Sequence, residues 1–97
     1  MSETTTAPMR TVDDDERDRR KVWDALPTAD GTGMRDHLAV CVPPHAIARA
    51  VGLPTHEVRV ILHNLWHDGC MTRNGVRSRA RYSRDVTDRY VAAGTVR

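Results

Sequence analysis

Residues 47–82 read IARAVGLPTHEVRVILHNLWHDGCMTRNGVRSRARY, and the fold turns on this stretch. Gly52 suits a left-handed stop to a short helix, Pro54 stiffens the turn after it, and Thr55 suits the cap of a longer helix. In that longer helix Val58, Ile61, Leu62 and Leu65 stand at i, i+3, i+4 and i+7, the stripe by which an amphipathic helix meets a core. Gly69 closes it. Beyond Gly69 the pattern changes: Cys70–Arg73 suits a strand, Asn74-Gly75 suits a tight hairpin turn, and the return strand ends near Arg81-Tyr82. Unequal strand lengths leave a wider loop over Asn74–Ser78 as the alternative.

Upstream, Pro44 at a first helical position starts the short helix, 44–51, which turns Ala46, Ile47 and Ala50 or Val51 to the core. Met34–Val42 (MRDHLAVCV) is too brief to assign by periodicity. It is either a helical turn or a short apolar strand that pairs with the hairpin. Thr28–Gly33 has loop composition. A first helix over Asp14–Leu26 is expected, with Thr11 at its start, acids where the helix dipole favours them, and Val22, Trp23 and Leu26 on one stripe before Pro27. Residues 1–10 are Thr-rich and without period, the composition of a disordered arm. Downstream, Asp85–Ala93 reads as a last short helix with Val86, Tyr90 and Ala93 on one side. The expected architecture is one mainly α domain, 11–97, with a small β-hairpin.

At 97 residues and 39% apolar composition, with no Phe, the core is thin and draws on Val, Leu, Ile, Ala, Met and two Trp. A dimer partner would help to cover it, and Trp23, Tyr90 and Val91 are the apolar positions that one domain is not expected to cover fully. Net charge is only +2, so its distribution carries more information than its sum. Six acids (Glu3, Asp13, Asp14, Asp15, Glu16, Asp18) fall before Lys21, whereas five arginines and no acid lie between Gly69 and Arg84. That asymmetry points to a polyanion for the C-terminal half. All but one of the fifteen cationic residues are Arg, which suits bidentate phosphate and guanine contacts but also follows from a GC-rich genome. Cys41 and Cys70 have no C-x-x-C spacing, and the chain has no signal segment and no span for a bilayer, so reduced, structural thiols in the cytoplasm are expected.

With these elements in order, residues 42–84 resemble the winged helix-turn-helix superfamily of bacterial and phage regulators, of which the MarR and GntR groups are examples. The likeness rests on Ile47-Ala48 with Val51-Gly52-Leu53, on Val58-x-x-Ile61-Leu62-x-x-Leu65 with Asp68-Gly69, and on the Arg-rich hairpin closing at Arg81-Tyr82. Three features depart from the pattern. Pro43-Pro44-His45 replaces the usual Ser, Thr or Asp cap, Cys70-Met71 replaces more usual aliphatics, and Trp66 stands where a charge is common. The resemblance implies a sequence-specific double-stranded DNA-binding transcriptional regulator, of which a repressor is one kind. It would act as a nucleoid-associated homodimer on a two-fold site, with recognition helix 55–68 in the major groove and wing 70–83 on the flanking backbone.

Helical geometry sets the outward face of that longer helix. His56, Val60, His63 and His67 fall within about 40° of one line, with Arg59 about 60° to one side. Thr55 and His56 at its start, Arg59, His63 and Asn64 are the candidate base or phosphate contacts, with Arg73 beside them. Glu57 reads more simply as a favourable charge at the helix start. Arg77, Arg79 and Arg81 alternate, so an extended strand would place them on one basic face and Val76, Ala80 and Tyr82 on the other. The bland alternative is a charged edge strand kept soluble. A histidine stripe gains charge on mild acidification, so duplex binding should strengthen as pH falls, and His63→Ala should blunt this.

Other classes have thinner support. His63 and His67 have chelating i, i+4 spacing, but no carboxylate completes a set, and no metal or other cofactor is expected. A Gly-rich phosphate loop, an H-E-x-x-H and a nucleophile elbow are all absent, which argues against an enzyme. The rival reading is a protein-interaction module of the same fold that uses Trp66 and the acidic Asp13–Asp18 segment. A joint reading lays those acids over the basic hairpin as an autoinhibitory mimic of DNA.

Overall fold

The computed structural model describes residues 11–93, so the expected arm at residues 1–10 lies outside the described part. Thr11 caps α1 (Val12–Ala25): its hydroxyl accepts from the Asp14 amide at 3.0 Å, and the Asp14 carboxylate accepts from the Thr11 amide at 3.2 Å. This reciprocal box satisfies two of the helix's orphan donors. Pro27 ends α1, and Thr28–Ala29 forms a two-residue strand, β1. The remaining elements are α2 (Met34–Val40), α3 (Pro44–Val51), α4 (Thr55–His67), β2 (Thr72–Asn74), a 3-10 turn (Arg77–Arg79) and β3 (Arg81–Asp85). The molecule is mainly helical with a small three-stranded sheet in the order β1-β3-β2; β1 runs parallel and β2 antiparallel to β3.

α3 and α4 form where the apolar spacing placed them. Gly52 ends α3 in the left-handed conformation at φ 75°, and its amide returns to Ala48 O at 2.8 Å. Val58, Leu62 and Leu65 are buried on the inner face of α4, and Ile61 is half-buried beside them. They meet Val22 and Trp23 of α1 and its C-cap Leu26, Ile47 and Ala48 of α3, and Cys70, Met71, Ala80 and Tyr82 of the hairpin in one core. Thr55 is the first residue of α4 instead of its cap; Pro54 stands at the cap position and gives no side-chain bond. Asp68, expected as the last helical residue, is the C-cap.

Of the two readings left open for Met34–Val42, the helical one forms, over Met34–Val40, and only Val42 pairs with the sheet, through a bridge to Tyr82. Asp85–Ala93 is not the expected helix: Asp85 ends β3, and the chain then turns and runs irregularly to Ala93. The cause is local competition from polar side chains. Asp85 N–H donates to Asp88 Oδ2 at 2.9 Å, and Thr87 N–H donates to Asp85 Oδ1 at 2.8 Å, which turns the backbone away from a helix. Of the apolar positions not expected to be fully covered, Trp23 is buried within the domain, whereas Tyr90 and Val91 are half-buried. The Trp23 indole N–H donates to Cys70 O at 2.9 Å, and its ring meets the Tyr90 ring edge-on at 5.7 Å. Val91 packs on the core, and its carbonyl accepts from the buried Arg19 guanidinium, which also pairs with Asp68 at 2.7 Å. The C-terminal segment therefore straps onto α1, where Tyr90 O–H donates to Glu16. Burial and that carboxylate push the Tyr90 phenol up to about 12.

Candidate nucleic-acid interface

The hairpin is built differently from a pair of long strands. Asn74 pairs with Arg81 at its closed end, and the wider loop between them contains the 3-10 turn. Gly75 at φ 83° and Arg77 at φ 55° both adopt the left-handed region, and Arg79 N–H returns to Val76 O at 3.1 Å. Arg77, Arg79 and Arg81 are therefore not three alternate residues of one extended strand. A turn carries the first two and a strand the third, and all three side chains remain exposed. Ala80 and Tyr82 are buried as expected, whereas Val76 is exposed.

This turn brings two of the three arginines to a partner that linear reading could not pair with them. Arg79, Ala80 and Arg81 form one wall of a cleft of about 390 Å³; Pro43-Pro44-His45 at the start of α3 and Arg59 on α4 form the rest, with Ser78 at the rim. The charged or ionisable groups lining it are three guanidiniums and one imidazole, with no carboxylate among them. Among the described residues, none of the three arginines takes part in an ion pair; the ion-paired arginines, Arg17, Arg19 and Arg20, belong to α1. At the start of α3 Pro44 has no N–H and the Ala46 N–H returns to Pro43 O at 3.1 Å, which leaves the His45 amide as the first-turn donor. An anionic group is what this arrangement can hold, and Arg supplies the planar donors for a phosphate.

The other predicted contacts separate into two groups. His56 and Asn64 line a second groove, of about 570 Å³, where α1 contributes Asp15 and Arg19, and α4 adds Glu57, Val60 and Ile61. This groove is mixed in charge, unlike the hairpin cleft. Thr55 is half-buried at the start of α4, and His63 is exposed, its ring 5.9 Å from that of Trp66 and 6.5 Å from that of His67. Among the described residues no cluster of three His, Cys, Asp or Glu is placed to hold a metal. Arg73 lies apart from the cleft, its guanidinium 3.7 Å from the centroid of the Trp66 ring. Arg77, exposed at the tip of the turn, does not line the cleft.

Sequence reading missed His45 as a cleft residue, although its position next to the Pro44 helix start was a signal. It also missed a buried Ser-His-Asp chain. His37 Nδ1 lies 2.6 Å from Ser83 Oγ, and His37 Nε2 lies 3.0 Å from Asp85 Oδ2. Asp85 is held below the usual carboxylate value, first because Thr87 O–H donates to it and then through Thr87 N–H and His37. Ser83 has no exposed surface and His37 almost none, so this chain cannot meet a substrate and instead ties α2 to β3. Comparison with known proteins finds no matching family model, no matching curated protein and no matching solved structure. Among the described residues, no helix is long and apolar enough to cross a membrane.

Proposed function

We propose that the protein is a winged helix-turn-helix regulator that binds double-stranded DNA, with α4 in the major groove and the Arg77–Arg81 wing on the flanking backbone. The carrying observation is the acid-free cleft in which Arg59, Arg79, Arg81 and His45 converge from α4, the wing and the start of α3. Cations held together without carboxylates repel one another, and a phosphodiester relieves that repulsion. The exposed outer face of α4 carries His56, Val60, His63 and His67, of which His56 and Val60 also line the groove against α1, and it is the surface that meets base edges. A homodimer on a two-fold site, acting as a nucleoid-bound repressor in the cytoplasm, is the form in which so small a module reads a long enough sequence.

The interaction-module reading has less support. Asp14 is engaged in the α1 cap and Asp18 is buried, so the acidic segment offers fewer free carboxylates than its sequence suggests. Autoinhibition over the wing is also weakly supported: Asp15 faces the groove shared with His56 and Asn64, not the arginine cleft. The test is retention of labelled mixed-sequence duplex at two salt concentrations, followed by selection from random duplexes. Salt-dependent retention and an enriched palindrome are expected; no retention at low salt would remove the DNA reading.

A further inference from the structure

Trp66 stands where winged-helix sequences commonly carry a charge, and its surroundings give it a task. The residue is 37% exposed near the C-terminal end of α4, and Arg73 of the hairpin packs on it. From β2, Arg73 lays its guanidinium 3.7 Å from the indole centroid, van der Waals distance for a stacked pair. Arg73 is half-buried and has no carboxylate partner among the described residues; opposite it on β3 stands Tyr82, not an acid. A long arginine left free samples many rotamers and loses that freedom on binding. Stacking removes the freedom beforehand and uses the face of the guanidinium, so that its in-plane N–H donors are not spent on the ring.

We propose that Trp66 is a positioning residue: it presents the Arg73 guanidinium, pre-oriented, to a backbone phosphate of bound duplex. The proposal rests on the DNA reading and adds a contact outside the arginine cleft, at the base of the wing. The indole face sets the guanidinium plane, and the phosphate takes two parallel N–H donors at its edge. Lysine at position 73 would keep the charge but lose both the fork and the stack.

The test is fluorescence anisotropy of mixed-sequence duplex over a salt series, using the full chain and the variants Arg73→Ala, Arg73→Lys, Trp66→Leu, Trp66→Tyr and Trp66→Leu/Arg73→Ala. Arg73→Ala should weaken binding about tenfold, the size of one lost charged hydrogen-bonding contact. The loss should be similar for unrelated sequences, and the log–log salt slope should shrink by about one. Trp66→Leu should cost most of the same factor and add almost nothing to Arg73→Ala, while Trp66→Tyr restores binding. Arg73→Lys should keep the slope but lose several-fold in affinity, and this surface change leaves the core untouched if Trp66→Leu disturbs folding. Losses that multiply in the double variant, Arg73→Lys equal to wild type, or a loss confined to one base sequence at unchanged slope would each overturn the proposal. If wild type binds with salt dependence and Trp66→Leu binds equally well, the proposal alone fails; if wild type shows no salt-dependent binding, the DNA reading itself has failed.

Discussion

His37 occupies a place on α2 where an apolar side chain would have packed, and its two ring nitrogens each have a buried partner. The Asp85 carboxylate accepts from Nε2–H, and Nδ1 shares a hydrogen bond with the Ser83 hydroxyl. Replacing His37 by Ala orphans both partners and opens a small void, so the denaturant midpoint should fall by an amount equivalent to roughly 2–4 kcal/mol. A midpoint within error of wild type would show that water replaces the ring without loss. Protons act on the same cluster with opposite signs at two carboxylates. Asp85 is held below its ordinary value of 3.8, so its stabilising contribution is present above that value and is lost as pH falls through the lower folded one. Thr87→Val removes the first cause of the shift and should raise the pH of half-unfolding in an acid titration followed by circular dichroism. Asp88 is raised above 3.8, chiefly by burial, so its contribution is fully present below that value and lost as pH rises through the folded one. Asp88→Asn keeps an oxygen for the Asp85 amide; it should raise Tm at pH 7 and leave it nearly unchanged at pH 3.5. An equal effect at both pH values would contradict the assignment.

At the scale of elements, the hairpin turn depends on one glycine. Gly75 has φ 83°, and a Cβ there would stand 2.9 Å from the Arg79 carbonyl oxygen, which the backbone of the 3-10 turn cannot easily move. Gly75→Ala should therefore cost about 1–3 kcal/mol or reopen the turn. Either outcome appears as a lower Tm or as displaced amide resonances over residues 76–80, and an unperturbed spectrum with wild-type Tm would refute it. The contrast between elements explains how much of the fold was legible. α3 and α4 bury apolar residues at helical spacing between clear stops, so periodicity, Pro44 and Gly52 were enough to bound α3 and to start and end α4 within a residue. α2 inverts the rule: His37 is buried while Met34 and Leu38 are exposed, so its pattern misleads over a helix of only seven residues. β1 is two residues long and exists through a parallel partner fifty-odd positions away, which no local pattern can announce. The segment after Asp85 mimicked helical spacing by chance, and Val86, which was to face the core, is 65% exposed.

For the whole molecule, a net charge of +2 cannot by itself attract a polyanion strongly, so the location of the charge decides. Arg density after Gly69 was legible in the sequence and placed the basic surface on the hairpin. What was not legible was its focus, because the cleft joins residues up to 38 positions apart, Pro43 to Arg81 by numbering, and forms only through the 3-10 turn. Alternation along an ideal strand would have spread Arg77, Arg79 and Arg81 along one edge with no contact to Arg59. The two geometries predict different behaviour on mutation. If the cleft focuses the field on one or two phosphates, Arg59→Ala and Arg79→Ala should each weaken duplex binding by about five- to tenfold, and the pair should lose less than the product of the two. Arg77→Ala, at the tip, should cost less than either. Arg20→Ala is the matched control: it removes the same charge from α1, where Arg20 pairs with Asp24 over 3.3 Å and lies 4.8 Å from the Tyr90 ring centroid. It should leave duplex affinity within about twofold at 0.1 M salt, where charges beyond roughly 10 Å are screened. Equal losses for Arg20→Ala and Arg79→Ala would mean that overall charge draws the duplex and that the cleft has no special part in holding it.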